Sequence, residues 1–381
     1  MSVVFDICLA VLVYVYVGYP ALVWLLARVR PGQATVAAAA DDHRPTVSVL
    51  IAAYNEVDGI VDTVRNKLAQ DYPADRLEVI VVSDGSTDGT DEAVQAIDDP
   101  RVRLVRQEPR AGKTSGLNLI APLAAGEVLV FSDANSFYSP DTIARLVQPL
   151  ADPAVGYVTG RMLYRAPDGS ASGEGCSAYM RYENRLRAWE TRLGSIVGVD
   201  GGVDAMRRDV WEPMRADQLP DFVAPLTVRE KGYRVVYEPS ARLYEDALAD
   251  TEDEFRMRVR VSLRAWWAMK DKAALLDPRR YGVFAWQLWS HKLLRYLAPF
   301  FQFGLFGTNV LLAHRGPGWM TLLVLQSLFY AVAAMAHGLR GSKLPAPVTA
   351  AYYLCVVNLA SGLAFVQFLR GKKQVTWNPR T

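Results

Sequence analysis

Residues 76–86 read RLEVIVVSDGS, an apolar run that ends on an aspartate and opens into Gly and Ser. Asp, Gly and Ser are ordinary turn formers, because Asp bonds its own backbone and Gly accepts positive φ. Taken alone, the cluster marks a buried strand passing into a loop. Its neighbours extend the reading. TVSVLIAAYNE (46–56), RVRLVRQE (101–108), EVLVFSDANS (127–136) and VGYVTGRML (155–163) are further short runs rich in Val, Leu and Ile. Helical patterns separate most of them: DGIVDTVRNKLAQ (58–70), GKTSGLNLIAPLA (112–124) and SPDTIARLVQPL (139–150). Strands alternating with helices predict right-handed βαβ crossovers, and so an α/β domain on a mainly parallel sheet covered on both faces.

In such sheets ligands gather outside the carboxyl ends of the strands. Asn55 and Glu56 end the first run, Asp84 ends the second and Asp133 ends the fourth, so acidic groups converge on one sheet edge. A turn device does not require that convergence. The usual phosphate-cradling glycine fingerprints do not follow any of these strands. Carboxylates in their place point to hydrogen bonds with a base and a ribose, with a cation bridging a diphosphate. PRAGKTSGLN (109–118) supplies Arg110 and Lys113 at the start of a predicted helix, where the dipole and free amides favour an anion. A solvated surface lysine is the plainer reading of that motif alone.

The bulk numbers exclude some classes. Among 381 residues, 42 basic and 40 acidic side chains leave a net charge of +2, which gives no basic stripe for nucleic acid. Cys8, Cys176 and Cys355 form neither a metal spacing nor an even disulfide framework. His43, His291, His314 and His337 all lie outside the motif region, which argues against histidine triads and zinc.

Hydropathy divides the chain. VVFDICLAVLVYVYVGYPALVWLLARVR (3–30) is long enough to cross about 30 Å of hydrocarbon and lacks a small-residue cleavage site, so an anchor at 1–30 is expected. Further apolar stretches fall near 293–313, 318–337 and 347–369, while 45–250 has soluble composition. The expected organisation is an N-terminal membrane helix, a globular domain at 45–250, interfacial amphipathic helices at 251–292 and about three membrane helices in 293–381. Arg28 and Arg30 after the first helix place the globular domain in the cytosol, on a multi-pass protein of the cytoplasmic membrane. Three later crossings would leave the C-terminus outside, yet Arg370, Lys372 and Lys373 favour inside.

In this order and spacing VSVLIAAYNE, VVSDGSTD, RAGKTSGLN, FSDANS and LPDFVAPLTVREKGYRVVYEP resemble the family 2 glycosyltransferases of the GT-A fold. Within that group the chain looks like membrane-anchored enzymes related to cellulose, hyaluronan and poly-N-acetylglucosamine synthases. The resemblance covers roughly 46–262 and implies a donor site. Ala53, Tyr54, Asn55 and Glu56 would line a uridine pocket, Asp84 would bond the uracil or ribose, and Lys113 would meet the diphosphate. SDANS takes the place of the family's Asp-x-Asp, whose carboxylates address the ribose and the metal, with Asp133 first and Asn135 second. These are the implied ligands of a divalent cation, Mn²⁺ or Mg²⁺, for which an amide oxygen is the weaker partner.

Asp221 matches the family's general base, which takes the proton of an acceptor hydroxyl as it attacks the anomeric carbon with inversion. A helix N-cap is the structural alternative for Asp221, and Asp200 and Asp217 are reserve candidates. VGVDGGVDAMRRD (197–209) resembles the glycine-rich segment under the sugar, or marks a tight turn. Of the processive members' Gln-x-x-Arg-Trp, aligned on 257–261, only Arg260 survives; it is the expected contact to acceptor or diphosphate.

The function implied is transfer of a sugar, from a UDP-type donor, to a lipid-linked or saccharide acceptor at the cytoplasmic face. The alternatives are a processive polysaccharide synthase that translocates its product and a silent membrane partner of a synthase complex.

Overall fold

The computed structural model describes residues 1–29, 43–165, 171–246, 251–339 and 344–376. These form two compact units. A sheet unit contains 27–163, 187–245 and the tail from Gln374, and a helical unit contains 1–26, 164–186 and 246–373.

Helix α1 (Ser2–Val29) opens the chain. The sheet unit then alternates as the sequence predicts: β1 (Val47–Ala53), α2 (Ile60–Leu68), β2 (Leu77–Ser83), α3 (Thr90–Gln95), β3 (Val102–Arg106), α4 (Lys113–Ile120) and β4 (Val128–Asp133). These four strands are parallel, in the order β3-β2-β1-β4. Every residue of β1 is buried, which explains why central strands read as unbroken apolar runs and not as alternating ones. Each fully buried Leu, Ile or Val there contributes about 1.5–3 kcal/mol.

The sheet then changes character. Strands β5 (Phe137–Tyr138), β6 (Val155–Arg165), β7 (Asp204–Arg207) and β8 (Arg234–Asp246) extend it to eight strands in the order β3-β2-β1-β4-β7-β6-β8-β5. Helices α5 (Thr142–Val147), α6 (Ala171–Leu193) and α7 (Pro220–Glu230) lie between them in the chain. β7 runs antiparallel to both β4 and β6. The run at 155–163 is therefore a strand, as read, but it belongs to an antiparallel extension of a mixed sheet. β7 has only four residues and sits in no recognisable apolar run, which hid the reversal.

The helical unit contains α8 (Thr251–Asp271), α9 (Val283–Arg315), α10 (Pro317–Gly338) and α11 (Ala346–Leu369) besides most of α1. Four of these, α1, α9, α10 and α11, are long and apolar enough to cross a membrane. Helix α9 begins ahead of the stretch expected from hydropathy because residues 283–292 mix Gln287, Ser290, His291 and Lys292 with aromatics. Two segments widen to π-helical turns, Tyr14–Gly18 within α1 and Leu288–Leu293 within α9. They meet through Tyr14, whose hydroxyl lies 2.8 Å from Ser290 Oγ and accepts from Trp286 Nε1 at 2.8 Å. On α8, Trp266 packs on Phe365 of α11 with ring centres 4.7 Å apart.

Candidate donor and base site

The register of the parallel strands levels their ends. Ala53 pairs with Ser83 and Ala52 with Asp133, so Tyr54, Asp84 and Asp133 emerge along one edge. The chain turns sharply after β1 through Asn55, whose φ of 52° lies in the left-handed region that Asn tolerates. Asn55 Oδ1 accepts from Thr87 N–H at 2.9 Å, and Glu56 N–H donates to Thr90 Oγ1 at 2.9 Å, which ties the β1 and β2 loops together.

Asp84 is 1% exposed and saturated with donors. Its Oδ1 accepts from Gln107 Nε2 at 2.5 Å and Ala111 N–H at 2.8 Å, and Gly112 N–H lies 3.0 Å from both oxygens. Arg110 Nε stands 3.5 Å away, and the Arg110 guanidinium lies 3.4 Å from the centre of the Tyr54 ring. Asp84 thus fixes the loop that leads into α4 and its first residue, Lys113. Gln107 was missed in the sequence, although it follows β3 directly and the rule about strand ends applies to it equally.

Lys113 is the centre of the charge arrangement. Its Nζ lies 2.7 Å from Asp133 Oδ1 and 3.5 Å from Asp221 Oδ1, so one ammonium bridges a strand-end carboxylate and the first turn of α7. Burial alone would lower the Lys113 pKa, but the Asp133 and Asp221 carboxylates more than reverse this and hold it above its ordinary value. Lys113 stays charged throughout the neutral range.

Asp221 is not the cap of α7. Leu219 occupies that position without a side-chain bond, Pro220 takes the first turn, where its missing N–H costs nothing, and Asp221 follows it. Gly201 and Gly202, with φ of 77° and 72°, are packed against the same groups. A Cβ on Gly201 would stand 2.8 Å from Asp221 Cγ, and one on Gly202 would stand 3.2 Å from Asp133 Oδ2. These glycines therefore allow the backbone to approach both carboxylates. The reserve acids are engaged elsewhere, Asp200 with Arg187 at 2.5 Å and Asp217 with Arg215 at 3.1 Å.

Two buried ionisable groups near the site escaped the sequence reading. Lys67, fully buried on α2, donates to the Ser136 carbonyl and, at 3.1 Å, to Asn66 Oδ1, so it holds the loop after β4; burial pushes its pKa well down. In its helical pattern it reads as an ordinary surface lysine. Asp204 opens β7 opposite Phe131 and Thr159, is 0% exposed, and neither carboxyl oxygen has a hydrogen-bond partner. Burial, and then the negative charge of Asp221, push its pKa well above the ordinary value.

Asp133 and half-buried Asn135, two positions apart in sequence, offer one carboxylate and one amide oxygen. Among the described residues, no group of three His, Cys, Asp or Glu is arranged to hold a metal ion. Arg260 lies on α8, in the helical unit.

A parallel core with acidic strand ends, extended by antiparallel strands that bring in a further acid, is the GT-A glycosyltransferase arrangement. Residues 48–212 match the family model described as glycosyl transferase family 2. The chain is 26% identical over 274 residues to a poly-beta-1,6-N-acetyl-D-glucosamine synthase of Staphylococcus aureus, covering 67% of this chain and 65% of the relative. It is 29% identical over 172 residues to a beta-monoglucosyldiacylglycerol synthase of Nostoc sp., covering 44% of this chain and 37% of that one. The matched parts thus span less than two thirds of these relatives' own lengths. Among solved structures, the mannosyltransferase PcManGT from Pyrobaculum calidifontis, in complex with GDP-Man and Mn²⁺, superposes with a TM-score of 0.73. It is 25% identical, over 97% of this chain and 99% of its own.

Proposed function

We propose that the protein transfers a sugar, with inversion, from a nucleoside diphosphate donor to an acceptor hydroxyl at a membrane surface. The observation that supports this reading is the Lys113 bridge, in which one ammonium lies 2.7 Å from Asp133, read as the donor-side carboxylate, and 3.5 Å from Asp221, read as the acceptor-side one. Tyr54 and Arg110 form the wall for the nucleoside, Arg110 on the loop that Asp84 fixes. Uridine is our first choice of base, and guanosine, held by the mannosyltransferase, is the other to test.

In the reaction Asp221 accepts the proton of the acceptor hydroxyl. The freed oxygen bonds to the anomeric carbon, the carbon–oxygen bond to the diphosphate breaks, and its electron pair leaves on the diphosphate. Lys113 remains protonated and moves from its carboxylate partners to the diphosphate, where it offsets the charge that develops there. Asp133 and Asn135 would hold a divalent cation, Mg²⁺ or Mn²⁺, through one carboxylate and one amide oxygen. When bound, such an ion would neutralise the leaving diphosphate.

The acceptor is proposed to be membrane-associated, in keeping with four helices able to span a bilayer and with the glycolipid and polysaccharide synthases among the relatives.

The decisive experiment incubates purified protein with a panel of nucleoside diphosphate sugars, with and without Mn²⁺ or Mg²⁺, and measures nucleotide release. One donor should be turned over well above the rest; no turnover with any donor overturns the reading. Product length then separates single additions from processive synthesis.

A further inference from the structure

The helical unit encloses a cavity of about 330 Å³ whose lining includes Tyr16, Tyr182, His291, Lys292, Arg295 and Asn358. Its composition is asymmetric. Two permanent cations, Lys292 and Arg295, line it together with several phenol hydroxyls, and among the described lining residues there is no carboxylate. The nearby acid, Glu183, is already engaged, with His291 Nε2 3.0 Å from one oxygen and Arg295 donating to the other. Arg295 Nε is buried without a hydrogen-bond partner. Beyond the Arg295–Glu183 pair, the lining adds the Lys292 ammonium and several hydroxyls, so it is rich in donors.

Two further observations direct the choice of ligand. Both π-helical turns of the unit contribute to the wall, Tyr16 from Tyr14–Gly18 and His291 and Lys292 from Leu288–Leu293. Such turns are rare and recur at functional sites, where they reposition side chains at the expense of regular helix bonding. The cations also lie on a helix able to cross a membrane, at the polar start of α9 before its apolar stretch. Basic pockets between membrane helices hold lipid head groups. The volume lies at the small end of ligand pockets, enough for a head group and not for a whole lipid.

We propose that this cavity binds the phosphate-bearing head group of an anionic lipid. The phosphate oxygens accept from Arg295 and Lys292, and the Tyr16 and Tyr182 hydroxyls stand at the same wall. The proposal goes beyond the transfer reading, and its readout is lipid binding, so either can fail without the other.

The test uses the full chain in phosphatidylcholine nanodiscs doped with phosphatidic acid or, as the phosphate-free counterpart, diacylglycerol. Lipid retained through delipidation is counted by native mass spectrometry. Phosphatidic acid should be retained at one copy per chain and diacylglycerol should not. Lys292→Gln, which leaves the Glu183 pairs in place, should weaken retention roughly fivefold, the worth of one lysine beside an anionic head group. Val357→Phe, which fills the cavity without changing charge, should also weaken it, and each variant's melting without added lipid reports on folding. Equal retention of the two lipids, or retention unchanged in both variants, overturns the proposal. Displacement of the lipid by inorganic phosphate would assign the site to the soluble anion, and preferential capture of a neutral oligosaccharide would assign it to a glycan; either result overturns the lipid.

Discussion

The two halves of the sheet treat their buried carboxylates in opposite ways. In the parallel half, Asp84 is surrounded by amide and side-chain donors that hold both oxygens. In the antiparallel half, Asp204 is as deeply buried, and neither of its carboxyl oxygens has a partner at hydrogen-bond distance. A saturated carboxylate is architecture: its charge is compensated and the loop around it is fixed. An unsatisfied one avoids ionising, so its state depends on the charges that come and go nearby, here Asp221 and Lys113. The parallel half is thus a prebuilt cradle, while Asp204 lies beside Asp221, the base of the proposed reaction.

The largest expected effect tests the acceptor side. Asp221→Asn keeps the shape and removes the base, so turnover should fall by about 10² to 10⁴ while the KM for donor changes little. Undiminished turnover would remove Asp221 from its role and break the division of labour between the halves. Gly201→Ala comes next. A side chain at φ 77° is strained, and its Cβ would press on the Asp221 carboxylate, so turnover should fall by about 10², the usual result of moving a reacting group by an ångström. If activity is unchanged, the glycine marks only a turn.

The parallel half should respond in stability more than in rate. Asp84→Asn replaces one accepting oxygen with an amide that faces donors, and should cost about 2 kcal/mol in urea unfolding of the detergent-solubilised protein. A loss confined to donor affinity, with stability intact, would make Asp84 a ligand contact and not a fixture of the loop.

How far the sequence revealed this site follows from the same contrast. Parallel strands buried on both faces must be continuous apolar runs, and their ends must carry the polar groups, so Asp84 and Asp133 were legible from pattern alone. Antiparallel β7 is four residues long and draws its neighbours from distant segments, so nothing local announced that Asp204 would face Thr159 or that Gly201 would touch Asp221. Asp221 itself was found by resemblance, because a Pro-Asp at a helix start looks the same whether it caps or catalyses. Lys67 was illegible for another reason: burial of a lysine depends on the loop after β4 closing over it, which no helical period predicts.

The smallest effect separates the halves by pH. The folded-state pKa of Asp204 is raised above its ordinary 3.8, so over that interval the folded protein keeps a proton that the unfolded chain has shed. Stability therefore falls as pH rises above the ordinary value, by at most about 1.4 kcal/mol per pH unit, until the buried acid ionises too. Lys113 cannot produce this slope: its pKa is also raised, but for a base that stabilisation is complete below 10.5 and is lost only in strong alkali. Asp204→Asn keeps the shape and removes the titration. Thermal midpoints measured from about pH 5 to about pH 8 should decline in the parent protein and run flatter in the variant. Parallel curves for the parent and Asp204→Asn would show that Asp204 carries no titrating proton in this range, and the contrast between the two halves would then lie in hydrogen bonding alone.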